Sequence, residues 1–205
     1  PFQARRWFPS PRPPGRLVRA GKHTVVSSIP MTRYVAFLRG VNVGGINIKM
    51  ADLRTALTDM GLAEVKTILA SGNALFDSER TDVDGLKADI EATLRKTFGY
   101  EAWIVLCTLD HVRAIAEAYP FDPEREGWHP YVLFTSDPSA LTELLTRAPD
   151  LDPDAEQIAG GDGVLYWEVE RGQTLQSTFG KAIGKRKFKA TTTNRNLRTL
   201  TKVLS

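Results

Sequence analysis

The stretch Tyr34-Val-Ala-Phe-Leu-Arg-Gly-Val-Asn-Val-Gly-Gly-Ile-Asn47 decides how this chain is read. Tyr34 to Leu38 form an unbroken apolar run, suited to a strand covered on both faces. Arg39 and Gly40 end the run, and Gly44-Gly45 supply a turn where positive φ carries no Cβ penalty. A helix is predicted next, because Met50, Leu53, Leu57 and Met60 recur at helical spacing and Gly61 is a suitable stop.

The same alternation continues outward from this start. Val65 to Ala70 reads as a second strand, Ser71-Gly72-Asn73 as a tight turn, and Ala74 to Asp77 as a third strand. Thr81 with Asp84 reads as a capping box for a helix that carries Val83, Leu86, Ile90, Leu94 and Phe98 on one face and ends at Gly99. Ala102 to Cys107 is a fourth strand. The order βαββαβ predicts a ferredoxin-like unit, two helices on one face of an antiparallel sheet. Right-handed crossover then places the glycine turn and the Ser71-Gly72-Asn73 hairpin at one end of that sheet, roughly 10 Å apart.

Beyond it a linking helix is expected, with Thr108 as N-cap, Leu109, Val112, Ile115 and Tyr119 inward, and Pro120 as terminator. Residues 120–130 read as a loop. A second, weaker βαββαβ pattern follows. It comprises a strand from Tyr131 to Thr135, a helix capped by Asp137-Pro138, strands near 155–159 and 164–169, a short helix around 177–184 and a strand near 187–192. A final helix over about 194–204 shows Leu197, Leu200 and Leu204. The expected fold class is therefore α+β: two ferredoxin-like (βαββαβ-type) antiparallel-sheet units in tandem with an extra C-terminal helix. The expected divisions are a disordered or non-native leader over 1–30, a first unit over 31–107, the linking helix and loop over 108–130, and a second unit with a basic C-terminal helix over 131–205.

Charge is distributed in three blocks. The chain has 205 residues and a formal net charge of +3. Residues 1–30 hold six basic residues, six prolines and no acid, a composition without helix or strand periodicity. A basic targeting peptide is the competing reading, disfavoured by the prolines. Residues 31–170 hold 12 basic and 24 acidic residues, and residues 171–205 hold nine basic and no acidic ones. The pI near 9.1 thus misdescribes an acidic body with a basic last segment. No apolar run approaches the ~18–20 residues that span a bilayer, so no membrane partner is expected. Cys107 is the single cysteine, which excludes an intramolecular disulfide and a cysteine-rich metal cluster and favours a buried structural thiol in a reducing, cytoplasmic setting.

Three stretches stand together: Phe37-Leu-Arg-Gly-Val-Asn-Val-Gly-Gly45, Ser71-Gly-Asn73 followed by Phe76, and Thr193-Asn-Arg-Asn-Leu-Arg-Thr199 with Lys202. In this order they resemble the domain of unknown function 1697 family over about residues 31–205. The third departs from the family pattern, with Leu197 where a tryptophan is usual. The resemblance implies the fold and a bacterial-type cytoplasmic protein; it implies no mechanism.

Catalytic constellations are scarce. His23, His111 and His129 have no metal-ligand spacing, Ser71 lacks a Gly-x-Ser-x-Gly elbow, and no carboxylate pair stands out, so neither a metal nor a cofactor is expected. The glycine turn matches neither a Walker motif nor a dinucleotide fingerprint. What it offers is backbone N–H groups before a helix, which suit an anion, with Arg39 able to add a bidentate contact. The candidate ligand-binding set is Arg39, Asn42, Gly44, Gly45, Ser71 and Asn73, joined by Arg195 and Asn196 near the start of the last helix. The alternative for Arg39 is pairing with a local carboxylate. Lys181, Lys185, Arg186, Lys187 and Lys189, interleaved with Phe179 and Phe188, are the candidate nucleic-acid contacts. The functional expectation is a binding protein for a phosphate-bearing small molecule or nucleic acid. The alternatives are a small-molecule enzyme with unassigned residues and a protein–protein module.

Overall fold

The computed structural model describes residues 30–41, 47–189 and 191–205. The expected leader, but for its last residue, lies outside the described residues, as do Asn42, Gly44 and Gly45. The elements run β1 (Thr32–Arg39), α1 (Met50–Asp59), β2 (Ala63–Ile68), β3 (Asn73–Ser78), α2 (Val83–Phe98), β4 (Trp103–Thr108), α3 (Leu109–Glu117), β5 (Trp128–Thr135), α4 (Pro138–Leu145), β6 (Glu156–Gly160), β7 (Val164–Glu170), α5 (Thr178–Ile183), α6 (Arg186–Lys189), β8 (Thr192–Asn196) and α7 (Leu197–Leu204). They build two four-stranded antiparallel sheets, ordered β2-β3-β1-β4 and β6-β7-β5-β8, with α7 as the additional C-terminal helix.

The apolar run of β1 is covered on both faces. Tyr34, Ala36 and Leu38 point into a core with Leu53 and Leu57 of α1 and Leu86, Ile90 and Leu94 of α2. Val35 and Phe37 point the other way, into a core shared with Val132 and Phe134 of β5, Val164 and Tyr166 of β7, Val112 and Ile115 of α3, and Leu200 and Val203 of α7. Alternation along a strand makes one sequence stretch serve two cores. The sheets meet where the rings of Phe37 and Phe134 lie 4.5 Å apart. A third core covers the outer face of the second sheet, with Leu133, Leu165 and Trp167 packed beneath Leu144, Phe179 and Phe188. The linking helix α3 is thus part of the junction: it packs on α7 and on β1.

The local capping signals hold at some helix ends and give way to a neighbouring residue at others. Thr108 caps α3 by accepting from the His111 backbone N–H at 3.2 Å, and Asp137 caps α4 with Pro138 at its start. The Thr81–Asp84 capping box is not formed. Asp82 is the cap of α2 instead, accepting from the Gly85 N–H at 3.0 Å, one register later than expected. Replacing Asp82 by alanine is expected to lower unfolding free energy by about 1 kcal/mol, read from the urea midpoint. A change below a few tenths would show that this cap is idle.

The strand expected near 187–192 is also wrong. Arg186–Lys189 is a short helix, and the edge strand is Thr192–Asn196. Phe188 is drawn inward to the core over the second sheet, while Thr192 and Thr193 pair with Thr135 and Phe134. The last helix accordingly begins at Leu197, with Asn196 as its N-cap, accepting from the Arg198 N–H at 3.0 Å. Arg195 is therefore on a strand and not at a helix N-terminus. Similarly, α1 begins at Met50 after Lys49, so its first N–H groups lie several residues beyond Gly44-Gly45.

Candidate functional site: a groove at the junction of the sheets

β1 ends at Arg39 beside the β2–β3 hairpin. Phe37 lies opposite Asn73 in the ladder, and the Leu38 N–H donates to the Gly72 carbonyl at 2.8 Å. Gly72 has φ +74°, and a Cβ there would lie 3.0 Å from the Leu38 Cβ, so only glycine fits without displacement. Leu69 at the hairpin tip also takes positive φ, at 58°. β8 of the second sheet reaches this same end.

Arg195 on β8 holds the junction together. Its Nε donates to Asn73 Oδ1 at 2.6 Å, and Nη1 donates to Thr193 Oγ1 at 2.7 Å and to the Asn194 carbonyl at 2.8 Å. Nη2 donates to the carbonyls of Leu38, Ser71 and Gly72 at 2.6, 3.2 and 3.3 Å. Its guanidinium carbon stands 5.3 Å from the Phe37 ring centre. Burial pushes the Arg195 pKa down to about 10, which still leaves a full cation at neutral pH. Among the described residues it has no carboxylate partner. All five N–H groups of the guanidinium point at protein acceptors, so Arg195 contributes its charge to the groove and no free donor.

Asn73 is committed in the same way. It is fully buried, donates through Nδ2 to the Ile68 carbonyl at 2.7 Å and to Ser71 Oγ at 3.0 Å, and accepts from Arg195. Ser71 is exposed at the hairpin, and Asn196 is used as a helix cap. Arg39 differs from all of these. Its side chain is half-buried, and among the described residues it has neither a hydrogen-bond nor an ion-pair partner. Burial alone lowers its pKa. The local carboxylate expected as an alternative partner is not there.

Two hollows adjoin the Arg39 side chain. One, ≈ 380 Å³, is bordered by Arg39, Gly40, Val41, Ser71, Thr193 and Arg195. The other, ≈ 250 Å³, lies between Arg39, Thr193 and Asn194 on one side and Gly180, Gly184 and Leu175 on the other. No carboxylate borders either. Larger hollows exist, ≈ 440 Å³ between α1 and α2 and ≈ 470 Å³ near Arg80. Size does not favour them: Arg80 pairs with Asp82 and Asp89, and the α1–α2 hollow holds Asp52 and Asp59 on an exposed face.

The basic segment is divided. Lys181, Lys185 and Arg186 are exposed around α5 and α6, whereas Lys187 pairs with Glu143. The side chain of Lys189 lies outside the described residues. Phe179 and Phe188, expected as stacking platforms, are 0% and 3% exposed and belong to the core. Hydrophobic burial claims both rings.

Acid–base machinery is not assembled among the described residues. The buried carboxylates are all engaged by the protein: Glu91 by Lys87 and the Ile104 N–H, Glu156 by Trp167 Nε1 and the Phe179 N–H, and Glu168 by Arg125 and Gln157. Burial pushes the thiol of the part-exposed Cys107 up to about 12, which disfavours the thiolate. No group of residues suited to a metal ion occurs among the described residues, and no helix among them is long and apolar enough to cross a membrane.

The family described as protein of unknown function (DUF1697) matches residues 31–166. The chain belongs to that family. The match spans the first sheet, the linking helix and most of the second sheet, and stops before the third motif that carries Arg195. Among solved structures, this DUF1697 chain is similar to the conserved bacterial protein SP0830 from Streptococcus pneumoniae. That likeness has a TM-score of 0.70 at 25% identity, covering 85% of this chain and 97% of that one. A protein from Galdieria sulphuraria, titled as unknown, aligns with a TM-score of 0.26 at 11% identity over 82% of this chain and 98% of that one, too slight a likeness to bear on the fold. No curated protein matches.

Sequence reasoning missed Thr193 and Asn194 as groove residues, although both lie in the third motif. Their signal is the alternation Thr193, Asn194, Arg195, Asn196 along what is a strand. Read as the start of a helix, the same residues fall on different faces.

Proposed function

We propose that this chain binds a phosphate-bearing ligand in the groove where the two sheets meet, with Arg39 as the direct ionic contact. Arg195 stands behind it as a fixed buried charge. The observation that carries the reading is two guanidinium groups on one hollow, neither with a carboxylate partner among the described residues. A cation held part-buried without a counter-ion is unfavourable unless an anion arrives. Asn42, Gly44 and Gly45 complete the proposed set from the segment that follows β1 in sequence. The exposed Lys181, Lys185 and Arg186, next in sequence to the groove residues Gly180 and Gly184, favour nucleic acid as the second reading.

The test is a thermal-shift and calorimetric comparison of inorganic phosphate, ribose 5-phosphate and a short single-stranded oligonucleotide. Binding to the native state raises the melting temperature by mass action. Hydrogen bonds to a charged group contribute about 1.5–3 kcal/mol, so Arg39→Ala is expected to weaken the phosphate ligand about tenfold or more. Its melting temperature without ligand should stay near that of the wild type. Unchanged affinity in Arg39→Ala, unfolding of that variant, or no response to any of the three probes overturns the reading. A response to the oligonucleotide alone, lost on replacing Lys181 and Lys185, selects nucleic acid.

A further inference from the structure

We propose that the ligand held by Arg39 is a nucleoside phosphate, and that Trp103 is the platform on which its base stacks. The inference rests on the phosphate reading of Arg39. In the first sheet Arg39 of β1 lies directly opposite Trp103 of β4. Residues so opposed share a face of the sheet, with Cβ atoms about 4.5–5.5 Å apart. Both strands turn that face to the junction: Phe37, two residues before Arg39, and Val105, two residues after Trp103, enter the core between the sheets. At the end of that core Arg39 is half-buried without a partner among the described residues, and Trp103 is 37% exposed.

Large aromatic side chains bury most of their surface in folded proteins, and the other described tryptophans do so. Trp167 is fully buried, and Trp128 is half-buried under Arg125, whose guanidinium carbon lies 3.6 Å from its ring centre. Among the described tryptophans Trp103 alone is exposed. Its ring is steadied by Arg95 of α2, whose guanidinium carbon stands 5.2 Å from the ring centre and whose Nη2 donates to the Ala102 carbonyl at 2.9 Å. A ring held in this way is a preformed stacking surface, and it suits any base because every base has a π-face. In a nucleotide the sugar separates phosphate from base; here one rung of the ladder separates the cation from the aromatic ring. A sugar phosphate would use only the first of the two residues.

The experiment titrates ribose 5-phosphate and adenosine 5′-monophosphate into the full chain, into Arg39→Ala, into Trp103→Leu and into Trp103→Tyr. The two ligands share phosphate and sugar and differ in the base. Stacking on an aromatic side chain should make the wild type bind adenosine 5′-monophosphate at least about fivefold more tightly. In Trp103→Leu that preference should fall to near unity while ribose 5-phosphate binds within about twofold of wild type. Trp103→Tyr keeps an aromatic face and should keep a preference for the nucleotide. Arg39→Ala should weaken both ligands. Adenosine 5′-monophosphate, and not ribose 5-phosphate, should also quench the tryptophan fluorescence of the wild type, a reading that needs no variant to fold. Equal binding of the two ligands to wild type, unchanged fluorescence with bound nucleotide, or a preference that survives Trp103→Leu overturns this inference and leaves the Arg39 reading standing. If neither ligand binds the wild type, both fall.

Discussion

Replacing Arg195 by alanine is expected to lower the free energy of unfolding by about 2–4 kcal/mol, because buried neutral acceptors that it serves are left unsatisfied. The side chain is 7% exposed and gathers acceptors from β1, the hairpin and β8 at one point. Its removal would orphan the Asn73 amide oxygen and the Leu38 carbonyl, at about 1–3 kcal/mol for each that finds no water, while the Gly72 carbonyl keeps the Leu38 N–H. Relief of the desolvated charge offsets part of that loss. Lysine is no substitute, because three donors on a point charge cannot reproduce a planar fork that serves six acceptors. Urea denaturation of wild type, Arg195→Ala and Arg195→Lys measures both effects. A loss below about 1 kcal/mol in the alanine variant would mean that the two sheets do not depend on this residue for their junction.

A loss of similar size is expected for Phe37→Ala. Phe37 is fully buried, faces Phe134 across the two sheets at 4.5 Å, and lies under the Arg195 guanidinium. Buried Phe→Ala changes cost about 3–5 kcal/mol through lost transfer energy and the cavity left behind. The position separates a joined structure from two independent units. If the sheets are thermodynamically one body, the melting transition should stay single and shift down as a whole. If they unfold separately, Phe37→Ala should split it, and Phe37 and Phe134 would not act as parts of one core. Because Phe37 and Arg195 touch, the double variant should lose less than the sum of the two single losses.

The sequence by itself determined the elements whose cause is local. The apolar run of β1, the helical spacing of Leu53 and Leu57, and the caps at Thr108 and Asp137 are short-range signals, and each produced the element expected of it. The order of those elements was enough for the two antiparallel sheets, since a right-handed crossover leaves few alternatives. The tertiary structure alone decided what happens where the sheets meet. Phe188 and Thr192 have ambiguous local preferences. The outer core of the second sheet and the open edge of β5 settled them as a helical turn and a strand. Arg195 is separated from Asn73 by 122 residues and from Leu38 by 157. No spacing rule encodes such contacts, so a residue read as a ligand contact proved to be a brace. Conversely, that Arg39 has no ion-pair partner among the described residues depends on every carboxylate in an acidic body being placed elsewhere, and only the folded chain places them.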